Sequence, residues 1–221
     1  MESRPQLGDG STAALRVGAV VAGGTLLAVL GPALGVSPWL VALTAGGGLT
    51  GLTVDSARFG GRGGHLLAET LPGGLSRLRR IAIHEAGHAL VADQEGLAVK
   101  QVLVGSLACL RAGIGASGST EFEPPRHAKL PPEDLRRWSR VLQAGMLAER
   151  LLYEQARGGA DDRALLGRLW GLSGFDVDTA QREQRRARRE VEQLLRRRRP
   201  ELEARAELLL QAAPRLLRSA A

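Results

Sequence analysis

Residues 81–92 read IAIHEAGHALVA, an apolar run with two histidines four positions apart and a glutamate directly after the first. On a helix, positions i and i+4 leave the same face about one turn apart, so His84 and His88 present their imidazoles side by side. Two neutral imidazole nitrogens at that spacing suit one Zn²⁺ at about 2.0–2.1 Å each. Glu85 leaves the helix on the neighbouring side, where it reaches a metal-activated water rather than the metal, as a general base requires. Gly87 costs the helix about 1 kcal/mol relative to alanine. It makes sense where another backbone passes close to the metal face.

Two histidines leave such a site incomplete, because a catalytic zinc takes three protein ligands and keeps its fourth position open. The stretch GGADD (residues 158–162) offers Asp161 and Asp162 at the start of a helix. Acids there also serve as ordinary N-terminal caps and dipole partners. His65 and His127 lack metal-ligand neighbours and read as surface residues.

The elements that must position these groups follow from punctuation and periodicity. A helix over 76–94 carries the histidines and stops at Gly96. AVKQVLVG (98–105) alternates and is rich in valine, so it reads as a strand, and GSTEFEPP (118–125) reads as a second strand closed by prolines. PPEDLRRWSRVLQAGMLAERLLYEQA is a helix with proline in its first turn and acids behind it. A shorter helix opens at GGADD, and from Asp176 the chain is helical with an interruption near Pro200.

HEAGHALVA, GSTEFEPP, AGMLAERLLYE and GGADDRALL, in that order and spacing, resemble the peptidase domain of the FtsH-type membrane zinc proteases. The resemblance covers about residues 79–170. It implies a zincin-like fold, zinc held by His84, His88 and an aspartate of GGADD, and Glu85 as the base. Some members carry an Asp-Asp pair whose second residue is the ligand, which implies Asp162, with Asp161 as the alternative. The family's Ala-Gly-x-x-Ala-Glu helix is matched by Ala144, Gly145, Ala148 and Glu149, so Glu149 is the candidate to orient a ligand histidine. The ATPase module of that family has no counterpart. No Gly-x-x-x-x-Gly-Lys followed by Ser or Thr is present, and neither Lys100 nor Lys129 follows a glycine. No ATP site is therefore expected, and the chain resembles the short ATPase-less relatives of cyanobacteria and plastids. The segment SLACLRAGIGAS between the two strands fits the family less well.

The chain has 221 residues, a formal charge of +7 and a basic content that is almost all arginine. Its one cysteine, Cys109, excludes an intramolecular disulfide and reads as a buried small hydrophobe. Residues 17–54 contain no Asp, Glu, Lys, Arg or His. They suit two short membrane spans, 17–36 and 38–54, although glycines and threonines make the second marginal. Arginines on both flanks, Arg77, Arg79 and Arg80 among them, place both ends on the cytoplasmic side. GGRGGHLLAETLPGGL (60–75) is a glycine-rich connector.

The Arg-rich tail interleaves Glu183, Glu190, Glu192, Glu201 and Glu203 with apolar residues at helical spacing, Val191, Leu194, Leu195, Leu208, Leu209, Leu216 and Leu217 among them. It reads as an amphipathic helix or pair packed on the rest of the domain, the alternative being attraction to anionic lipid headgroups. Nucleic acid is excluded by the lack of an aromatic platform.

The sequence thus predicts an α+β, predominantly helical protein. Its parts are an N-terminal segment (1–16), a membrane hairpin (17–54), a linker (55–75) and a zinc peptidase domain (76–221). The expected function is membrane-anchored, zinc-dependent hydrolysis of protein or peptide substrates on the cytoplasmic or stromal side, with a partner ATPase or homo-oligomer as possible company. The alternative is a non-proteolytic metal-binding scaffold for membrane complexes.

Overall fold

Glycines in the left-handed region set the ends of the helix that carries both histidines. The computed structural model describes residues 22–59 apart from 27, and residues 65–215 apart from 67, 68, 71, 72, 126 and 128. Segment 1–16, the start of the first expected span, and Leu216 and Leu217 lie outside the described residues. The chain divides into two compact units, Met1–Gly61 and Arg62–Ala221.

In the first unit, a 3₁₀ turn at Pro32–Leu34 precedes helix α1, Pro38–Phe59. Trp39, Leu40, Leu43 and Leu49 of α1 are exposed. The hydroxyls of Thr44 and Thr53 donate back to the carbonyls of Leu40 and Leu49. No helix among the described residues is long and apolar enough to cross a membrane. Helix α1 has the length, at 22 residues, but Gly46, Gly47, Gly48 and Gly51 dilute its apolar content. The expected two-span hairpin gains no support from this unit.

The second unit is mostly helical around one small sheet. Helix α2, Gly74–Glu95, ends where Gly96 turns to φ 68° and donates its N–H to the carbonyls of Ala92 and Asp93. Strands β1, Val99–Val104, and β2, Gly118–Phe122, pair antiparallel with an irregularity between Val99 and Gln101. The six-residue helix α3, Ser106–Arg111, fills the connection and buries Cys109. Helix α4, Pro132–Tyr153, begins with proline and two acids and ends at Glu154, a non-glycine residue with φ 63°. Helix α5, Ala160–Leu172, starts at Gly159 with φ 90°.

The tail forms α6, Val177–Arg197, and α7, Arg199–Ala212. Asp176 caps α6 by accepting the Thr179 N–H at 2.8 Å, and Arg198 takes the break just before Pro200.

The main core lies where α2 packs on α4 and α7, and α4 on α6. Ala82, Ala86 and Leu90 of α2 meet Val141, Ala144 and Ala148 of α4, with Val191, Leu195, Leu202 and Leu210 closing from the tail. Each fully buried leucine contributes about 1.5–3 kcal/mol. A second cluster joins Leu135, Trp138 and Leu142 to Leu166 and Trp170, and the Trp170 indole N–H donates to the buried Ser139 hydroxyl at 2.9 Å. The tail therefore packs on the domain as an amphipathic pair. One assignment is corrected: Leu208 is 66% exposed, because Leu202, Ala206 and Leu210, one helical turn apart, define the buried face of α7.

Candidate metal centre

Helix α2 buries His84, Glu85 and His88, all under 9% exposed, against the middle of α4. The close fit depends on three glycines. A Cβ built on Gly87 would lie 2.8 Å from the Ala144 carbonyl oxygen and 2.7 Å from the Ala148 Cβ, so the α4 backbone passes directly over Gly87. A Cβ on Gly145 would stand 2.5 Å from Nε2 of both histidines. One on Gly158 would lie 2.9 Å from the Glu149 carboxylate and 3.0 Å from the His84 ring. The helices meet backbone to ring, and any side chain at Gly145 would crowd the two Nε2 atoms.

Each histidine is oriented by its other nitrogen. His88 Nδ1 lies 2.8 Å from the carbonyl oxygen of Val141, which only accepts, so Nδ1 carries the proton and Nε2 keeps its lone pair in the neutral ring. His84 Nδ1 donates to Glu149 Oε1 at 2.7 Å, and its Nε2 is likewise turned inward. Asp162, from the first turn of α5, brings Oδ2 to 3.2 Å from His84 Nε2 and 3.3 Å from His88 Nε2. The three donor atoms lie within 4.8 Å of one another, a group that could hold a metal ion. Three electron-rich atoms this close repel unless a cation or a proton stands among them. Their chemistry, two imidazole nitrogens and a carboxylate oxygen, and the cradle that a Gly145 side chain would fill both fit a divalent ion such as zinc.

Without an ion, the electrostatics place a proton there. Burial opposes charge on His84, but the Asp162 and Glu149 carboxylates, followed by the charge of Glu85, outweigh it and raise the imidazole to about 10. Burial likewise pushes Asp162 up, and its hydrogen bonds to the two histidines reverse that, leaving it well below the ordinary carboxylate range. Glu85 shifts the other way. Burial dominates and lifts its carboxyl above the usual value, against the histidines and Thr120.

Glu149, 2% exposed, accepts four hydrogen bonds. Oε1 takes His84 Nδ1 and the Gly158 N–H, at 2.7 and 3.2 Å. Oε2 takes Arg80 Nε and the Arg157 N–H, at 2.7 and 2.9 Å. Burial would raise its carboxyl, but His84, the Arg157 amide and Arg80 hold it at about 2. Of the two GGADD acids, Asp162 faces the histidines and Asp161 is exposed. His127 is exposed, as expected, whereas His65 is partly buried with its Nδ1 2.6 Å from Arg77 Nη2.

Sequence reasoning missed three contributors. Thr120 donates its hydroxyl to Glu85 Oε2 at 2.7 Å, and the Phe122 ring stands edge-on to His88 with centroids 6.3 Å apart. Gly118, Thr120 and Phe122 share one face of β2 by the two-residue period, and all three lie along α2. That alternation is the signal from which they were readable. Arg80 is the third. It reads in sequence as a flanking charge but is bound to Glu149. No family model matches the chain, and no curated protein matches it.

Proposed function

We propose that this chain is a zinc-dependent metalloendopeptidase of the FtsH type that works without an ATPase of its own. The observation that carries the reading is the convergence of His84 Nε2, His88 Nε2 and Asp162 Oδ2 beside Glu85 on the same helix. A zinc ion held by those three residues would activate water and polarise a peptide carbonyl. Glu85 takes the proton and later gives it to the leaving amine. Its carboxyl, raised by burial, suits a group that must both accept and return a proton. Thr120 aims one of its oxygens. Glu149 and the Val141 carbonyl hold the imidazoles with Nε2 inward. The substrate is an extended peptide, aligned by strand addition to the small sheet. Attachment to a membrane through residues 17–54 rests on their lack of charge. Carbonate washing of membranes tests it, since release into the soluble fraction would remove it.

The deciding test is cleavage of an unstructured peptide by purified protein without ATP, compared with Glu85→Gln. The variant keeps stoichiometric zinc and loses hydrolysis. Cleavage by a zinc-replete Gln variant would overturn the mechanism. Zinc bound by the wild type with no cleavage of any peptide would favour a metal-binding scaffold.

A further inference from the structure

We propose that Arg80 is a positioning residue of the metal centre. It grips Glu149 and the turn after α4 together, so that Asp162 is held opposite the two histidines before any ion arrives. This rests on the metal-site reading above and extends it to a residue that touches neither the ion nor a ligand.

Arg80 lies one helical turn before His84, on the same face of α2. Its Nε donates to Glu149 Oε2 at 2.7 Å, its Nη2 donates to the Gln155 carbonyl oxygen, and its guanidinium lies 4.6 Å from the centre of the Tyr153 ring. Only the planar fork of arginine satisfies two acceptors and a ring face at once; an ammonium is a point charge and loses at least one of them. The side chain is 17% exposed and its carboxylate partner 3%, so solvent screens this pair little.

Helix α2 therefore holds Glu149 from two sides, through Arg80 on one oxygen and His84 on the other. Glu149 in turn binds the Arg157 and Gly158 amides, while Arg80 also fixes Gln155. Residues 155, 157 and 158 are the segment between the left-handed Glu154 and Gly159 that delivers Asp162. A simple surface ion pair has none of this. Arg136–Glu183, 2.9 Å apart but 43% and 21% exposed, touches no part of the site.

The test is metal affinity per folded molecule, measured by chelator competition with Zn²⁺ and with Co²⁺, together with the visible spectrum of the Co²⁺ form. Arg80→Gln weakens both ions at least about tenfold and shifts the Co²⁺ bands. In the metal-free protein it moves or broadens the low-field His84 Nδ1 proton resonance. Arg80→Lys falls between Gln and wild type, and it keeps the question open to measurement if Gln does not fold. Arg80→Gln costs less affinity in the Glu149→Gln background than in the wild type, because part of its effect runs through Glu149 and the remainder through Gln155. Arg136→Gln leaves affinity and spectrum unchanged. Wild-type affinity and an unaltered Co²⁺ spectrum in folded Arg80 variants would reduce Arg80 to a strut and overturn the proposal. A wild-type protein that takes up neither ion would instead overturn the metal-site reading, and this proposal with it.

Discussion

Two regions of the second unit carry carboxylates bound to arginines, and they differ in depth. Along α6 and α7 three pairs are solvated neighbours within one helix: Arg186–Glu190, Arg188–Glu192 and Arg199–Glu203, all i,i+4 and all at least 36% exposed on both sides. Around Glu149 a single carboxylate 3% exposed collects donors from α2 and from the turn before α5. Exposed pairs spend their attraction against water and side-chain entropy, whereas a buried one has no solvent to fall back on when a partner is removed. The arginine count therefore says little about which arginines matter.

The largest expected effect follows from removing the hub. Glu149→Ala leaves Arg80 and the Arg157 and Gly158 amides without their acceptor and should destabilise the protein by about 3–5 kcal/mol, read by urea unfolding. The pH dependence gives the sign. The carboxyl is depressed from 4.5 to about 2, so its contribution is complete above pH 4.5 and is lost as the pH falls towards 2. Glu149→Gln should remove the Glu149 share of that acid limb from the stability profile of the metal-free protein, leaving the share of Asp162, which is also held below the ordinary carboxylate range. An unchanged limb would show that other carboxylates set it.

A smaller effect tests the close approach of the helices. Gly87→Ala places a methyl group against the Ala144 carbonyl and the Ala148 Cβ, and should cost about 1–3 kcal/mol through overpacking, despite the better helix propensity of alanine. Gly145→Ala, whose Cβ would stand 2.5 Å from both Nε2 atoms, should abolish metal uptake while the fold survives by circular dichroism. Stabilisation by Gly87→Ala would mean that α2 and α4 lie further apart than described.

The smallest effect sharpens the contrast. Arg188→Ala removes an exposed i,i+4 pair and should change stability by no more than about 0.5 kcal/mol, less still in high salt. A loss above about 1 kcal/mol would place that pair with the buried ones.

What could be read from sequence was local. His84, Glu85 and His88 fall within five residues of one helix, where a period of 3.6 fixes their faces, and the ends of α2 and α6 follow from Gly96 and Asp176. Gly87 within the helix signals a close backbone, and the Ala144 carbonyl is that backbone. Asp162 was separated from Asp161 only by resemblance, since adjacent residues differ by about 100° around a helix and the sequence does not say which faces inward. Arg80 and Thr120 were illegible as site residues because their partners lie 69 and 35 positions away. Among several basic residues, nothing local marked Arg80 as the one to be buried. Leu208 does not join the buried face because the three consecutive leucines 208–210 near the end of α7 fit more than one stripe, and tertiary contact buries Leu210 together with Leu202.

The turn between Glu154 and Gly159 has a consequence for the order in which the molecule comes apart. The two histidines sit in the α2–α4 interface, whose backbone amides should exchange with deuterium only on global unfolding. Asp162 reaches His84 over a separation of 78 residues, on a short arm held by hydrogen bonds to Glu149 and Arg80, while the rest of α5 is anchored on α4 by Leu166 and Trp170. That arm is the natural sub-global opening unit. An ion would escape by its swinging away while α2 and α4 remain closed, so the off-rate of the metal and the exchange rate of the Arg157 and Gly158 amides should rise and fall together.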